Sequence, residues 1–236
     1  MRPIAIVTGG ATGIGAATVR KLALAGYRVV FTYHQHQQEA QLLEKEMDGC
    51  AILCDIRSES QIQDVVAKAA QLGSIEVLVC NAGITGFGQI QDLTSEQIQE
   101  VLSVNTIAPM LFARETAPHM IRQKKGSIAF VSSMWGLAGA SCEALYSSSK
   151  SALIGLTKSL AKELGPSGIT VNCICPGLID TQMNAMLSED TRQQLVEEIP
   201  LGRIGSPEEV ADAVLFLISS TYITGQSLLV DGGFLL

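Results

Sequence analysis

The sequence predicts a single-domain α/β fold, a doubly wound parallel sheet of about seven strands with helices on both faces. Three observations carry this. Short β-branched runs alternate with amphipathic stretches along all 236 residues, the pattern of successive βαβ units. Several runs are almost continuously apolar, as strands become when both faces of the sheet are covered. A glycine-rich turn follows the first run and opens directly into a helical stretch.

The first strand is Ile4 to Thr8, followed by a helix from Gly13 to Ala25. Val29 to Thr32 precedes a helix over Gln37 to Met47, and Ala51 to Cys54 precedes one near Ser60 to Gln71. Val77 to Cys80 leads into a long helical pattern from Ser95 to Arg122, and Ser127 to Ser132 into one from Ala144 to Leu164. Ile169 to Cys175 is the sixth strand; Ser227 to Val230 is the seventh, after a helix over Pro207 to Ile218. The polar region from Leu178 to Arg203 lacks a strand pattern. It is expected to be a flexible segment over the carboxyl edge of the sheet, where ligands of open α/β sheets bind.

Apolar residues make up 47% of the chain and charged residues 17%, and no run approaches the roughly 20 apolar residues of a membrane-spanning helix. The start, Met1-Arg2-Pro3-Ile4, runs straight into strand-like sequence, so no secretory leader is expected and the cytoplasm is the expected location. A net charge of −7 gives no attraction for a phosphate backbone or an anionic membrane, which argues against nucleic-acid and membrane partners. Cys50, Cys54, Cys80, Cys142, Cys173 and Cys175 lack paired metal-ligand spacing and read as reduced core residues, with no metal site expected. Cys173 and Cys175 point to one face of their strand.

The turn Thr8-Gly9-Gly10-Ala11-Thr12-Gly13-Ile14-Gly15 lets the backbone approach a pyrophosphate, whose charge the helix N-terminus favours. This makes the fold Rossmann-type. An acid that would bind the 2′-hydroxyl of NAD is expected about 20 residues beyond the glycines. The second strand instead ends Phe31-Thr32-Tyr33-His34, with no carboxylate until Glu39. NADP(H) is therefore favoured over NAD(H), and His34 or His36, read otherwise as solvated loop residues, would assist a 2′-phosphate if charged.

Tyr146 and Lys150 are four residues apart on a helix and share one face. A phenol has an ordinary pKa of about 10, and an ammonium a few ångströms away would favour tyrosinate by about 3 to 4 kcal/mol before desolvation opposes it. Lys150 is thus expected to lower the Tyr146 pKa. So tuned, the phenol would exchange a proton with a carbonyl or alcohol oxygen, and Ser133 would donate a hydrogen bond to that oxygen.

The glycine spacing and the Ser133, Tyr146-x-x-x-Lys150 set together resemble the short-chain dehydrogenase/reductases. The similarity continues through Cys80-Asn81-Ala82-Gly83, where Cys stands for the first Asn of the family signature, and Asp55-Ile56, where the family places an acid against the adenine. Taken alone, the former reads equally as a turn and Asp55 as a helix cap. Asn105 matches the fourth catalytic member, which in the family helps hold a water chain leading to the lysine. Pro176-Gly177, Ile179 and Thr181 match a segment that in relatives passes the nicotinamide, and the tail Val230-Asp231-Gly232-Gly233 also matches. The resemblance implies a cofactor site built from Gly9, Thr12, Gly13, Ile14, Gly15, Tyr33, Asp55, Ile56, Asn81, Ala82, Gly83, Tyr146, Lys150, Pro176, Gly177, Ile179 and Thr181. It also implies a homotetramer formed through the helices near residues 95 to 122 and 144 to 164.

Within the family, the sequence resembles the 3-oxoacyl-[acyl-carrier-protein] reductases, which reduce a β-keto thioester with NADPH. Those enzymes carry two basic residues near the pocket mouth; Lys124 matches one, and Ser167 stands at the other. Met134-Trp135-Gly136 and Gly139 to Glu143 resemble a subgroup linked to bacterial elongation factor P, in which a ketone on a modified lysine is reduced. Trp135 and Glu143 would line the pocket, a carboxylate suiting an aminoketone; alternatively Trp135 is packing and Glu143 faces solvent. The substrate expected is a small-molecule ketone or one linked to a carrier or protein. A non-catalytic NADP-sensing protein is the remaining alternative, although such proteins commonly lack the tyrosine or lysine that is present here.

Overall fold

The computed structural model describes residues 2–184 and 188–236. The strands are β1 (Ile4–Thr8), β2 (Arg28–Tyr33), β3 (Cys50–Leu53), β4 (Ile75–Cys80), β5 (Gly126–Val131), β6 (Ile169–Pro176) and β7 (Ser227–Val230). They form one parallel sheet in the order β3-β2-β1-β4-β5-β6-β7. The helices are α1 (Gly13–Leu24), α2 (Gln37–Met47), α3 (Glu59–Leu72), α4 (Ser95–Leu102), α5 (Ala108–Gln123), α6 (Trp135–Ala138), α7 (Ala144–Leu164), α8 (Glu189–Glu198) and α9 (Pro207–Ser219).

Apolar side chains alternate across the strands and supply two cores. Ile4, Ile6, Leu78, Ile128, Phe130 and Val171 pack with α3, α5 and α7 through Ile62, Phe112 and Leu153. Ala5, Val7, Val29, Val79, Ala129 and Ile174 face α1, α2 and α9 through Val19, Leu43 and Val214. Cys173 and Cys175 share the first of these layers, on one face of β6.

Strand order reverses between β1 and β4, so the loops leaving those two strands part to opposite faces and open a crevice at the carboxyl edge. Register carries the crevice outward: Thr8 pairs with Cys80, Cys80 with Phe130 and Phe130 with Cys173. Asn81, Ser133 and Gly177 therefore emerge along one edge.

Two parts of the chain differ from the sequence expectation. The helical pattern from Ser95 to Arg122 is not one helix: Ser103–Ile107 forms a π-turn between α4 and α5, with Asn105 buried in it. The region from Leu178 to Arg203 carries α8, started by Ser188, whose side chain accepts from the Thr191 amide. No residue of α8 is buried, so it leaves no apolar period in the sequence. Residues 185–187 of that region lie outside the described residues.

Phe130, wholly inaccessible on β5, fills the layer beneath the strand that leads to Ser133. Phe130→Ala is expected to lower the free energy of unfolding by about 3–5 kcal/mol, measured by urea denaturation. A loss below about 1 kcal/mol would mean that the site rests on different packing.

Candidate active site

The ends of β1 and β4 are tied by side chains. The Thr8 hydroxyl accepts from the amides of Asn81 and Ala82, each at 3.0 Å, and the Asn81 carboxamide donates to the carbonyls of Thr8 and Gly9, each at 3.1 Å. Asn81-Ala82-Gly83 thus does more than turn the chain. The Gly10 amide donates to the Thr32 carbonyl at 2.9 Å, fastening the glycine turn to β2. Gly9 and Gly13 have φ of 63° and 52°, left-handed values that suit glycine. A Cβ on Gly15 would overlap the Gly9 carbonyl oxygen and lie 2.7 Å from Asn81 Nδ2.

Thr12 precedes α1 in an extended conformation and makes no capping bond through its side chain. The first amides of α1 therefore face the crevice without a side-chain partner, a donor set that suits the phosphates of a dinucleotide. The residues present fit such a group. Thr181 folds over the turn, its Cγ2 3.2 Å from the point a Cβ of Gly13 would occupy. The Cys54 amide donates to the Tyr33 carbonyl at 2.8 Å, bringing Tyr33 beside Asp55 and Ile56. Asp55 does not cap α3, which starts from Ser58; Arg57 donates to its carboxylate through Nε at 2.9 Å and Nη2 at 2.8 Å. That guanidinium holds the Asp55 carboxyl down at about 2.

Ser133, Tyr146, Lys150 and Asn105 come together at this edge, and all four are buried. Helix α7 is fastened to the end of β5 and to α6 by three contacts. Lys150 Nζ donates to the Val131 carbonyl at 3.0 Å, Ser132 Oγ to the Lys150 carbonyl at 2.8 Å, and Ser151 Oγ to the Gly136 carbonyl at 2.6 Å. Gly136 permits this approach, since a Cβ there would stand 2.6 Å from Ser132 Oγ and 3.0 Å from the Lys150 carbonyl carbon. The π-turn presents Asn105 inward. Its Oδ1 accepts from the Ile84 amide at 2.9 Å, and its Nδ2 donates to the Ile84 carbonyl at 2.9 Å and to Ser149 Oγ at 3.0 Å. Lys150 Nζ and Asn105 Oδ1 flank Gly83, 3.1 and 3.2 Å from the position of its absent Cβ.

The electrostatics depart from the expectation that Lys150 lowers the Tyr146 pKa. Burial raises the phenol to about 12; the nearby Ser133 hydroxyl opposes this and the Glu143 charge adds to it. The physical reason is direction as well as desolvation. The Lys150 ammonium is spent on the Val131 carbonyl and lies 5.7 Å from the centre of the Tyr146 ring. Burial also lowers Lys150 to about 8.

Trp135 is half-buried and meets the Phe234 ring edge to face, centroids 5.6 Å apart at 88°. Glu143 does not simply face solvent: it is half-buried, and desolvation raises its pKa. Among the described residues its carboxylate has no ion-pair partner within 4.0 Å. Lys124 and Ser167 precede β5 and β6. They lie at the amino edge of the sheet, a strand length from Ser133, and not at the mouth of this chain's own site. Pro176, Gly177 and Ile179 fall at the carboxyl edge, the Pro176 carbonyl accepting from the Met134 amide at 2.8 Å and the Gly177 amide donating to Val230 at 2.9 Å.

Thr8, Thr32, Ser132 and Ser149 support the site but were not singled out by motif. Their signal is hydroxyl-bearing side chains beside the motifs at buried positions. Ser149, wholly inaccessible, donates to the Tyr146 carbonyl at 2.7 Å while accepting from Asn105.

A family profile described as enoyl-(acyl carrier protein) reductase matches residues 9–235. The chain is 39% identical over 239 residues to the uncharacterised oxidoreductase YmfI of Bacillus subtilis, covering 99% of both chains. It is 40% identical over 238 residues to a 3-oxoacyl-[acyl-carrier-protein] reductase of Aquifex aeolicus, covering 98% of this chain and 96% of that one. Among solved structures, a blue fluorescent protein from a metagenomic library in complex with NADPH superposes with a TM-score of 0.92 at 36% identity, covering 99% of this chain and 98% of that one. A mutant short-chain dehydrogenase/reductase of Serratia marcescens gives 0.91 at 36%, covering 98% and 97%.

Lys150 gives a stability signature. Its value falls from 10.5 to about 8 on folding, so between those values the unfolded chain binds more protons and stability rises with pH. The contribution is complete above the unfolded value and lost as pH falls through the folded one. Lys150→Met is expected to remove about 2 kcal/mol of the rise between about pH 8 and pH 10, read from urea unfolding at a series of pH values. Parallel wild-type and variant profiles would count against a buried ammonium.

Proposed function

Because the chain belongs to the short-chain dehydrogenase/reductase family, we propose that it is an NADPH-dependent carbonyl reductase of the 3-oxoacyl-[acyl-carrier-protein] reductase kind, with Tyr146 as proton donor. The observation that carries this reading is the convergence of the Ser133 and Tyr146 hydroxyls at the carboxyl edge, beside the glycine turn. When bound, NADPH supplies hydride to the carbonyl carbon. Gly9, Gly13 and the open end of α1 hold the phosphates, Asp55 and Ile56 border the adenine, and Thr181 closes over the turn. Ser133 orients the carbonyl oxygen and stabilises charge as it develops there. The Tyr146 phenol, kept neutral by burial, holds a proton at neutral pH and gives it to that oxygen. Lys150, bonded to the Val131 carbonyl, holds the helix that carries Tyr146 at the strand end, and Asn105 fixes the turn beside Lys150. Location in the cytoplasm and assembly as a homotetramer belong to the same proposal.

A carbonyl reductase requires both hydroxyls in one place; a non-catalytic NADP sensor would not. Tyr146→Phe is expected to lower kcat for reduction of a β-ketoacyl thioester by about 10²–10⁴-fold, followed by NADPH oxidation, while leaving NADPH affinity by fluorescence titration within about twofold. If the wild type binds NADPH and reduces no ketone of a broad panel, the reading fails.

One observation favours a second reading of the substrate: the half-buried Glu143 carboxylate beside Tyr146, without a cationic partner among the described residues. A ketone carrying an amine, such as the aminopentanone on a modified lysine of elongation factor P, would pair with it. Under that reading, Glu143→Gln raises KM for an aminoketone about tenfold and barely affects a neutral ketone. Equal effects on the two substrates would remove the support.

A further inference from the structure

Strand β7 ends at Val230 on the same edge of the sheet as Ser133, and the residues after it bend back toward the other strands. Gly232 and Gly233 make the bend, with φ of 68° and 92°, positive values that suit glycine. The Asp231 carboxylate holds it closed, accepting from the Gly233 amide at 2.9 Å and the Leu235 amide at 2.8 Å. On one flank the tail rests on the chain beyond α8. The Leu201 amide donates to the Gly232 carbonyl at 3.2 Å, and Pro200 Cγ lies 3.1 Å from the point a Cβ of Gly233 would occupy. Toward β6, Gly177 lets the tail pass, since a Cβ there would stand 2.6 Å from Asp231 Cβ.

Phe234 is thereby carried across the end of β6 to Trp135, whose ring it meets edge to face. Trp135 is bound directly to the chemistry. Its amide donates to Ser133 Oγ at 3.2 Å, so one residue both holds this hydroxyl and bears the ring beside it. Met134, between them, is buried and its amide is bonded to the Pro176 carbonyl. With the backbone fastened, the Trp135 ring moves only about its own side-chain bonds, and Phe234 stands in the way of that swing. Strands β6 and β7 lie beyond β5, away from β1 and β4. The aromatic pair therefore stands at the end of the crevice opposite the glycine turn. Both rings are half-buried, so part of the pair is open to whatever occupies that end.

We propose that Trp135 and Phe234 form a fixed aromatic wall beside Ser133 that sets how large a substituent a ketone can carry, Phe234 acting as a positioning residue through the Trp135 ring. The inference rests on the reading of the chain as a carbonyl reductase and adds to it the class of ketone, one with a small apolar group beyond the carbonyl. A wall pinned ring against ring, on a tail that is itself bonded in place, does not yield as a lone side chain would. A methyl group fits in front of it; a bulky ring must displace it.

The test is a competition, in one reaction with NADPH, between two β-ketoacyl thioesters of N-acetylcysteamine that carry a methyl or a cyclohexyl group beyond the ketone. The ratio of products reports the ratio of kcat/KM values, which does not depend on how much of a variant is folded. Wild type is expected to prefer the methyl ketone, and Phe234→Ala to lower that preference about tenfold. Phe234→Leu, which keeps an apolar side chain on the tail but no ring, should lower it in part, and Phe234→Tyr should retain it. Added to Trp135→Ala, Phe234→Ala should change the ratio no further, because the wall is already gone. A ratio unchanged in both Phe234→Ala and Phe234→Leu overturns the proposal, as does an effect of Phe234→Ala that persists in full without Trp135. So does a wild type that reduces the two ketones equally well. A wild type that binds NADPH and reduces neither fails differently: it removes the carbonyl-reductase reading itself and this inference with it.

Discussion

The bond from the buried Lys150 ammonium to the Val131 carbonyl is the constraint on which the site depends. A charge removed from water must be met by polar partners, and here a partner is the last carbonyl of β5. That requirement draws α7 onto the strand end and sets the height of Tyr146 above Ser133. Ser132 Oγ and Gly136 complete the joint, the first by donating to the Lys150 carbonyl, the second by having no side chain in the way. Removing Lys150 would thus disturb the placement of the Ser133 and Tyr146 hydroxyls as well as a charge.

Asn105 extends the same joint to the neighbouring strand. A regular helix through residues 95 to 123 offers no spare backbone for a side chain to turn inward and satisfy a loop; the extra residue of a π-turn does. Asn105 uses both ends of its carboxamide, taking and giving one bond each with Ile84 after β4 and giving a second to Ser149 on α7. Since Asn81 already joins β4 to β1, the crevice and the hydroxyl pair are connected by short polar contacts that are buried or part-buried. The segment bearing α8 has no such ties among its helical residues, none of which is buried. Groups that must hold geometry are pinned; the polar segment at their margin is left exposed.

The strands and most helices were legible because hydrophobic period alone specifies them: α2, α7 and β7 fall at the bounds read from the sequence. The site was legible where backbone conformation demands a residue type, as at Gly9 and Gly13, and where chemistry demands a pair, as at Tyr146 and Lys150. What escaped has common causes. The π-turn keeps a helical period on either side, so Asn105 gave no sign of a break. Helix α8 buries nothing and therefore has no apolar face to read. Lys124 was matched by motif position, which carries no information about the edge of the sheet to which that position maps.

The charge relation between Tyr146 and Lys150 escaped for a deeper reason. Spacing says that two side chains share a helix face; it does not say where an ammonium points or how much water remains. A pair energy of about 3 to 4 kcal/mol assumes direct approach at an effective dielectric near about 20, whereas Lys150 is turned to Val131 and both groups are buried. Desolvation then disfavours both charged forms, lifting Tyr146 to about 12 and lowering Lys150 to about 8. Reduction needs a protonated phenol and oxidation a deprotonated one, so this environment suits proton donation. A neutral Tyr146 gains acidity as negative charge begins to form on the carbonyl oxygen, because the resulting hydrogen bond strengthens where little water competes. In the proposed reduction, burial that makes the phenol a weak acid at rest thereby makes it a selective one, giving up its proton only to an oxygen that is becoming an alkoxide.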